Sequence, residues 1–221
     1  MGVNLAKRIF ITATNTDIGK TYATKLLMRE FTKMGYRVGV CKPIETGVED
    51  SPPDGTELLH LLHELNPSAH HFDINDIVPI RFSLPAAPYI ANYAKEINLS
   101  IIDTALSKQE ELCDILLIEG AGGLYVPIDP HTMMIDLIER FEAKALLVSH
   151  CRLGCINDTL LSHYALNDRN IAHHWTLNCH SDDQGFSTVS EPFFKDNYPN
   201  YTILERDINK IATSILRLFE K

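Results

Sequence analysis

The chain has 221 residues, of which 45% are hydrophobic and 22% charged, and its formal net charge is −9. This length is enough for one large α/β domain, whereas two domains would each be small. The negative charge, with no compensating basic stretch, argues against binding to nucleic acid or to an anionic membrane. With no apparent leader or membrane span, and with five cysteines in no tight framework, we expect a cytoplasmic protein.

Apolar runs bounded by turn residues alternate with segments of helical periodicity along the chain. This pattern predicts strands at 8–12, 37–41, 77–82, 114–118, 144–149, 174–177 and 201–204. It predicts helices at 20–34, 57–65, 101–112, 134–141, 156–166 and 208–219, and a long polar surface excursion at 181–200. Elements in this order predict an α/β fold with a parallel sheet and helices on both faces, as one domain over residues 1–221.

The first predicted strand is followed by the stretch Ala-Thr-Asn-Thr-Asp-Ile-Gly-Lys-Thr at residues 13–21, which leads into the first predicted helix. A Gly-Lys-Thr triplet in this context is typical of phosphate binding, because backbone N–H groups at the positive end of the helix face the phosphates. Lys20 supplies a charge for the terminal phosphates, and the Thr21 hydroxyl is suited to Mg²⁺. Thr14 replaces the first glycine of the general pattern, so this candidate phosphate-binding loop is a variant.

Two further polar residues follow predicted strands, and ligands of parallel α/β sheets bind beyond the carboxyl ends of the strands. Lys42 follows the second predicted strand, and we expect it to face the cleft that contains Lys20. Glu119 follows the fourth, where an acid can hold Mg²⁺ as in the second motif of nucleotide hydrolases. Asp54 precedes a helix and is either an N-cap or a second metal carboxylate, with Glu57 as the alternative metal ligand.

Five segments carry a closer resemblance to a known family, and they are, in chain order, residues 14–21, 41–47, 82–88, 118–123 and 153–157. Together they resemble the dethiobiotin synthetases, which are ATP-dependent enzymes of biotin synthesis. The resemblance implies a homodimer with a P-loop NTPase-like α/β fold that uses diaminopelargonate, CO₂ and MgATP. It further implies that one amine captures CO₂ as a carbamate, which takes the γ-phosphate to form a carbamic–phosphoric anhydride. The second amine then closes the cyclic urea of dethiobiotin.

The resemblance also implies roles for individual residues. The reactive groups are expected at Lys42, Lys20, Thr16 and Asp17. ATP is expected to contact Asn15, Thr16, Asp17, Ile18, Gly19, Lys20, Thr21, Asp54, Glu119, Gly120, Ala121, Gly122 and Asn178. The diamine substrate is expected to contact Lys42, Thr46, Gly122, Leu153, Gly154 and Asn157, the last three from the other subunit. Mg²⁺ is expected to contact Thr21, Asp54 and Glu119.

Two features depart from the family pattern. Asp17 stands where a glutamate is common, so the charge is kept but the reach is shorter. In the C-terminal third, Asn178 aligns with an asparagine that contacts the base in some members, but the usual Gly-x-x-Pro segment after it is not recognisable. We therefore predict weak discrimination among nucleoside triphosphates.

Two other kinds of protein share parts of these motifs. An amidating ligase of cobalamin synthesis would need a fused glutaminase domain, for which 221 residues leave no room. A nucleotide-switched dimer, such as the division-site and partition ATPases, would carry a signature lysine followed by paired glycines, where this chain has Asn15, Thr16 and Asp17. We therefore expect an enzyme that acts on small molecules.

Overall fold

The computed structural model describes residues 6–179 and 185–220. In these ranges the strands are Lys7–Ala13 (β1), Val38–Cys41 (β2), Ile44–Thr46 (β3), Ile80–Phe82 (β4), Ile115–Gly123 (β5), Lys144–His150 (β6) and His173–Asn178 (β7). The helices are Lys20–Lys33 (α1), Pro53–Leu65 (α2), Ile74–Ile77 (α3), Pro88–Ala91 (α4), Ser100–Glu110 (α5), Met134–Arg140 (α6), Cys155–Asp168 (α7), Phe186–Val189 (α8), Glu191–Asn197 (α9) and Ile208–Arg217 (α10). Of the helices in these two ranges, none is long and apolar enough to cross a bilayer.

The main sheet has five strands in the order β2-β5-β1-β6-β7, and every neighbouring pair is parallel. The strand β1 lies at its centre, where Phe10 pairs with Ile118 of β5 on one side and with Ala145 of β6 on the other. A second, smaller sheet pairs β3 with β4, also in parallel. The predicted parallel sheet is therefore confirmed, and its carboxyl ends bring the loops after β1, β2 and β5 to one edge.

Helices cover both faces of the main sheet. Ile9 and Ile11 of β1 pack with apolar side chains of α1, α2 and α10, whereas Phe10 between them packs with those of α5 and α6. All three residues are fully buried. Because successive strand residues point to opposite faces, a strand covered on both sides needs the continuous apolar run that the sequence shows.

Three sequence predictions about secondary structure are wrong in part. Within the predicted strand 77–82, Ile77 ends helix α3 and only Ile80–Phe82 is a strand, in the smaller sheet. The predicted strand 201–204 forms a single bridge, between Leu177 and Ile203. The Ile203 N–H points away from β7 and donates to the Asp207 carboxylate at 2.8 Å, directly before α10 begins at Ile208.

The polar segment 181–200 is not simply a surface excursion. Residues 181–184 lie outside the described ranges, but α8 and α9 follow, and their Phe186 and Phe194 are buried. Both side chains pack with Leu177 of β7 and with Cys151 after β6. Scattered glycine, proline and asparagine residues made this segment look like a loop. Its two short helices were missed because they are stabilised by aromatic side chains that pack against a distant strand, which local polarity does not predict.

Two of the five cysteines are paired, although their number and spacing in the sequence show no disulfide framework. Cys151 and Cys179 form a disulfide, with their Cα atoms 5.1 Å apart. The other cysteines, Cys41, Cys113 and Cys155, are free and buried. Because β6 and β7 are neighbouring parallel strands, the residues that directly follow them are brought together despite a sequence separation of 28 residues.

His174, a half-buried histidine on β7, is expected to make folding stability depend on pH. Burial, reinforced by the nearby Lys210 and His173, lowers the pKa of His174 to about 4. The unfolded chain, with an ordinary histidine pKa, therefore binds more protons between about pH 6.5 and 4. The free energy of unfolding should fall over this range as pH decreases, by about 3 kcal/mol from this group. Urea unfolding of the parent and of His174→Gln should show a flatter pH dependence for the variant, whereas His60→Gln, at an exposed position, should leave it unchanged.

Candidate active site

The candidate phosphate-binding loop leaves β1 and turns directly into α1. The Thr14 N–H bonds to the Val148 carbonyl at 3.0 Å, and the Lys20 ammonium bonds to the Asn15 carbonyl at 3.1 Å, so the loop folds back on its own lysine. Gly19 has φ of +96° and precedes α1 without a side-chain cap. The first N–H groups of the 14-residue helix therefore point into the loop, as anion binding requires.

A cavity of about 700 Å³ opens beside this loop, at the carboxyl edge of the main sheet. The residues with predicted roles that line it are Thr16, Asp17, Gly19, Lys20, Thr21, Lys42, Thr46, Asp54, Glu119, Ala121 and Gly122. It is also lined by Ile44, Glu45, Pro85, Ala86, Ala87, Pro88 and Val126. The fold thus brings together side chains from the loops after β1, β2 and β5, which are far apart in the sequence.

Glu119 of β5 is the centre of a buried polar cluster at the floor of the cavity. Its side chain is fully buried, and its Oε1 accepts hydrogen bonds from the Thr21 hydroxyl and the Lys42 ammonium, both at 2.7 Å. Its Oε2 accepts a bond from the Thr24 hydroxyl at 2.8 Å. The Lys42 ammonium also donates to Asp54 at 2.7 Å, so one cation bridges two carboxylates.

The two lysines of the cavity experience opposite electrostatic effects. Burial opposes the charge on Lys42, but Glu119 and Asp54 outweigh it and hold the pKa of Lys42 above its ordinary value. Burial and the neighbouring Lys42 lower the pKa of Lys20 to about 8. Lys42 therefore remains a cation throughout the neutral range, whereas Lys20 becomes easier to protonate when an anion such as a phosphate binds beside it.

The oxygen atoms of Thr21, Asp54 and Glu119 form a donor set that suits Mg²⁺, which prefers carboxylate and hydroxyl ligands together with phosphate oxygens. Asp54 is not the N-cap of α2, because that position belongs to Pro52. Its carboxylate instead bonds to Lys42, and Lys42 lowers the pKa of Asp54 although burial opposes this shift. The alternative ligand, Glu57, forms an ion pair with Lys25 and is exposed. Of the two acids, the structure brings Asp54 to the cluster.

The glycines after Glu119 lie in an irregular part of β5. Glu119 pairs with Ile11 and Gly123 pairs with Ala13, so three residues of β5 face one residue of β1. Gly122 has φ of +66° and lines the cavity. Gly120 faces inward, where a Cβ would come within 2.7 Å of the Phe10 ring, and it does not line the cavity.

Seven residues with predicted roles do not line the cavity of their own chain: Asn15 and Ile18 of the loop, Gly120, and Leu153, Gly154, Asn157 and Asn178. Leu153 and Gly154 precede α7, where Leu153 is 86% exposed and Gly154 has φ of +100°. Asn157, in the first turn of α7, donates a bond to Asp158. Asn178 ends β7, is buried, and donates from its amide to the Ile18 carbonyl at 2.9 Å, so it supports the candidate phosphate-binding loop from behind.

Sequence reasoning missed three contributors to the site. Thr24 lies one helical turn after Lys20, and only its fully buried hydroxyl shows that it contacts Glu119. Glu45 lies inside the segment 41–47 that carries part of the family resemblance, but the sequence alone predicts no role for it. The segment 85–88, which contains two prolines, also lines the cavity, although its sequence alone predicts no role for it.

Solved structures share this fold at low sequence identity. A plasmid partition protein from Borrelia burgdorferi has a TM-score of 0.56 and 13% identity, with 98% of both chains covered. The MinC:MinD cell division protein complex of Aquifex aeolicus has a TM-score of 0.52 and 17% identity, with 98% of this chain and 97% of the other covered. These likenesses confirm the P-loop NTPase-like, single-domain α/β fold and carry no information on function.

Sequence relatives are more specific. The AAA domain family matches residues 7–194. ATP-dependent dethiobiotin synthetase BioD of Sulfurovum sp. (strain NBC37-1) is 44% identical over 207 residues, which are 94% of this chain and 99% of that protein. The chain belongs to the ATP-dependent dethiobiotin synthetase family. A second dethiobiotin synthetase, from Wolinella succinogenes, is 34% identical over 95% of this chain and 98% of its own length.

Membership of the dethiobiotin synthetase family confirms the predicted ATP-dependent ligase of biotin synthesis with a P-loop. It also decides between this enzyme and the partition-type ATPases. The latter share the fold at identities of 13% and 17%, whereas the dethiobiotin synthetases match nearly the whole sequence at 34% and 44%.

Proposed function

We propose that this chain, as one domain over residues 1–221, converts 7,8-diaminononanoate (diaminopelargonate), CO₂ and ATP to dethiobiotin. One observation carries the proposal: the Lys42 ammonium, bonded to two carboxylates, lies in the same cavity as Lys20 of the candidate phosphate-binding loop. We propose that Lys20 binds a polyphosphate in this cavity and that Lys42 stabilises an anion formed beside it. The proposed intermediates are a carbamate of the diamine and its carbamic–phosphoric anhydride.

ATP is proposed to bind along the loop from Asn15 to Thr21. The uncapped N–H groups at the start of α1 and the Lys20 ammonium would hold its phosphates, because both supply positive charge at the helix end. Thr16 and Asp17 line the cavity next to them, and we propose that the Thr16 hydroxyl contacts the phosphates. Ala121 and Gly122 of β5 also line the cavity, and we propose that they contact the same nucleotide.

Thr21, Asp54 and Glu119 are proposed to hold Mg²⁺, which when bound would neutralise charge on the transferring phosphoryl group. Phosphoryl transfer needs little from a protein beyond positioning and charge stabilisation. The residues of this chain meet both needs, because Glu119 is fixed by hydrogen bonds from Thr21, Thr24 and Lys42.

Lys42 is proposed to act on the diamine. An alkyl amine has a pKa near 10.4, so only ~0.1% is neutral near pH 7.4, and only the neutral amine attacks CO₂. A nearby cation disfavours the ammonium form and then stabilises the anionic carbamate. Lys42 is suited to this role because it stays charged, and Thr46 offers a hydroxyl to the same substrate from the cavity wall.

The active form is proposed to be a homodimer in which Leu153, Gly154 and Asn157 reach the substrate of the other subunit. The first N–H groups of the 14-residue helix α7 would hold the distant carboxylate of the diamino acid. Exposed apolar side chains on and near this helix support a protein contact there, since Leu161 is 64% and Tyr125 62% exposed.

Incubation of the protein with 7,8-diaminononanoate, bicarbonate and MgATP tests the proposal. The expected product is the cyclic urea, detected by mass spectrometry, with release of phosphate that requires the diamine. Phosphate release that ignores the diamine would count against the proposal and would favour a nucleotide-switched protein.

Nucleotide selectivity is expected to be weak. The one asparagine aligned with base recognition, Asn178, is bonded to the Ile18 carbonyl from behind the loop. Because no Gly-x-x-Pro segment is recognisable after Asn178 in the sequence, we expect kcat/KM for ATP, GTP and CTP to agree within about tenfold. Steady-state phosphate release with each nucleotide measures this, and a hundredfold preference for ATP would contradict it.

A further inference from the structure

The start of helix α2 is capped by a residue that lies outside the helix. Glu45 of β3 is 4% exposed, and its carboxylate accepts the backbone N–H groups of Asp54 and Gly55, both at 3.0 Å. These are the second and third residues of α2, whose N–H groups have no acceptor within the helix. An N-cap side chain usually accepts such bonds, but here the N-cap is Pro52, whose side chain has no hydrogen-bond acceptor.

Gly55 allows the carboxylate to approach this closely. A Cβ on Gly55 would overlap the Val78 side chain and would lie 3.3 Å from Oε2 of Glu45. The loop between β3 and α2 is therefore closed by Glu45 at one end and by the α2 backbone at the other. This closure determines where α2 begins relative to the cavity.

The position of the Asp54 side chain depends on this closure. Its carboxylate is 2.7 Å from the Lys42 ammonium, which is itself 2.7 Å from Glu119. The Asp54 side chain is 43% exposed, so surrounding atoms do not hold it by packing alone. Its own backbone N–H, bonded to Glu45, fixes the point from which the side chain extends.

We infer that Glu45 is a positioning residue, which orients Asp54 toward Lys42 and the proposed metal site by holding the first backbone N–H groups of α2. The inference rests on the proposed metal role of Asp54 and adds a residue that acts through it. Partners that orient metal ligands from outside typically contribute 10–100-fold in metal affinity or activity.

The first measurement is the affinity for Mn²⁺ in the presence of ADP, followed by electron paramagnetic resonance of free Mn²⁺. Glu45→Gln is expected to weaken Mn²⁺ binding about tenfold, because an amide keeps one acceptor oxygen and turns a donor toward the other N–H. Should this variant fail to fold, Glu45→Asp keeps the charge with a shorter reach and is expected to weaken binding in the same direction. Unchanged Mn²⁺ affinity in a folded Glu45 variant overturns the inference.

Asp73 provides a matched control for loss of a helix cap. Its carboxylate accepts the N–H groups of Asn75 at 2.7 Å and Asp76 at 3.4 Å at the start of α3, which carries none of the predicted site residues. Asp73→Asn is expected to lower the thermal midpoint without changing Mn²⁺ affinity. An equal loss of affinity in Asp73→Asn and Glu45→Gln would mean that lower stability alone explains both, and the inference would be wrong.

A double-mutant cycle separates the inference from the proposed function. In the Asp54→Asn background, Glu45→Gln is expected to cause no further loss of Mn²⁺ affinity, because both changes remove the same interaction. An additional tenfold loss would contradict action through Asp54. If Asp54→Asn alone leaves Mn²⁺ binding unchanged, the proposed metal role fails, whereas a loss with Asp54→Asn and none with Glu45→Gln overturns the inference only.

Discussion

Replacement of Lys42 by glutamine is expected to lower kcat for dethiobiotin formation by about 10³-fold, the upper range for loss of one group that stabilises developing negative charge. The proposed reaction uses Lys42 twice, to favour the neutral amine and to stabilise the carbamate. A glutamine of similar length keeps a hydrogen-bond donor in the cavity but removes the charge. The substitution should therefore affect the chemical step far more than nucleotide binding, which depends on Lys20 and the loop.

Trapping of labelled CO₂ on the diamine, without ATP, measures carbamate formation separately from phosphoryl transfer. Lys25→Gln is a suitable control, because Lys25 is a partly exposed lysine paired with Glu57 on the outer surface of α1. The control should retain parental activity. If Lys42→Gln forms carbamate as well as the parent does, Lys42 has no role in the capture of CO₂ and that part of the proposal is removed.

Glu119→Gln is expected to lower the free energy of unfolding substantially. Glu119 is fully buried and accepts the Lys42 ammonium at 2.7 Å, so its neutralisation leaves a buried cation with Asp54 as the remaining carboxylate. Breaking a buried pair from one side typically costs about 3–5 kcal/mol. Urea unfolding of the ligand-free protein should show a decrease toward the lower end of that range.

Two further variants test whether the loss of stability comes from the buried Lys42–Glu119 pair. Glu57→Gln breaks an exposed pair with Lys25 and should change the free energy of unfolding by about 1 kcal/mol or less. The double variant Lys42→Gln/Glu119→Gln should be destabilised by less than the sum of the two single changes, because the second change removes the buried charge whose partner the first change removed. Additive losses would show that the two side chains do not depend on each other.

The convergence of Lys20, Lys42 and Glu119 was predictable from the sequence, because it follows from a rule about sheet edges. Lys42 and Glu119 directly follow predicted strands and Lys20 lies beyond the loop after another, and parallel strands place their carboxyl ends together. The same reasoning left Asp54 undecided between a cap and a metal ligand. That choice depends on Glu45 of β3, whose carboxylate caps α2 in place of a residue next to the helix. The spacing of residues in the sequence does not predict such a contact.

Features stabilised by distant partners were the ones that sequence patterns missed. Phe186 and Phe194 are buried only because Leu177 and Cys151 lie beneath them. The Cys151–Cys179 bond exists because two neighbouring strands end side by side. In each case the contact joins residues that are distant in the sequence and are brought together by the sheet. The periodicity of apolar residues predicts only local secondary structure, so it could not predict these contacts.

The ammonium of Lys42 also determines how the protein behaves between catalytic cycles. Since it bonds to Asp54 and Glu119 at 2.7 Å each, this one cation already offsets part of the negative charge of the two acids. The central strands can therefore remain assembled without an ion, unlike zinc fingers, which unfold when their metal is removed. A chelator should leave this protein folded, and under the proposed magnesium role it should also stop dethiobiotin formation reversibly.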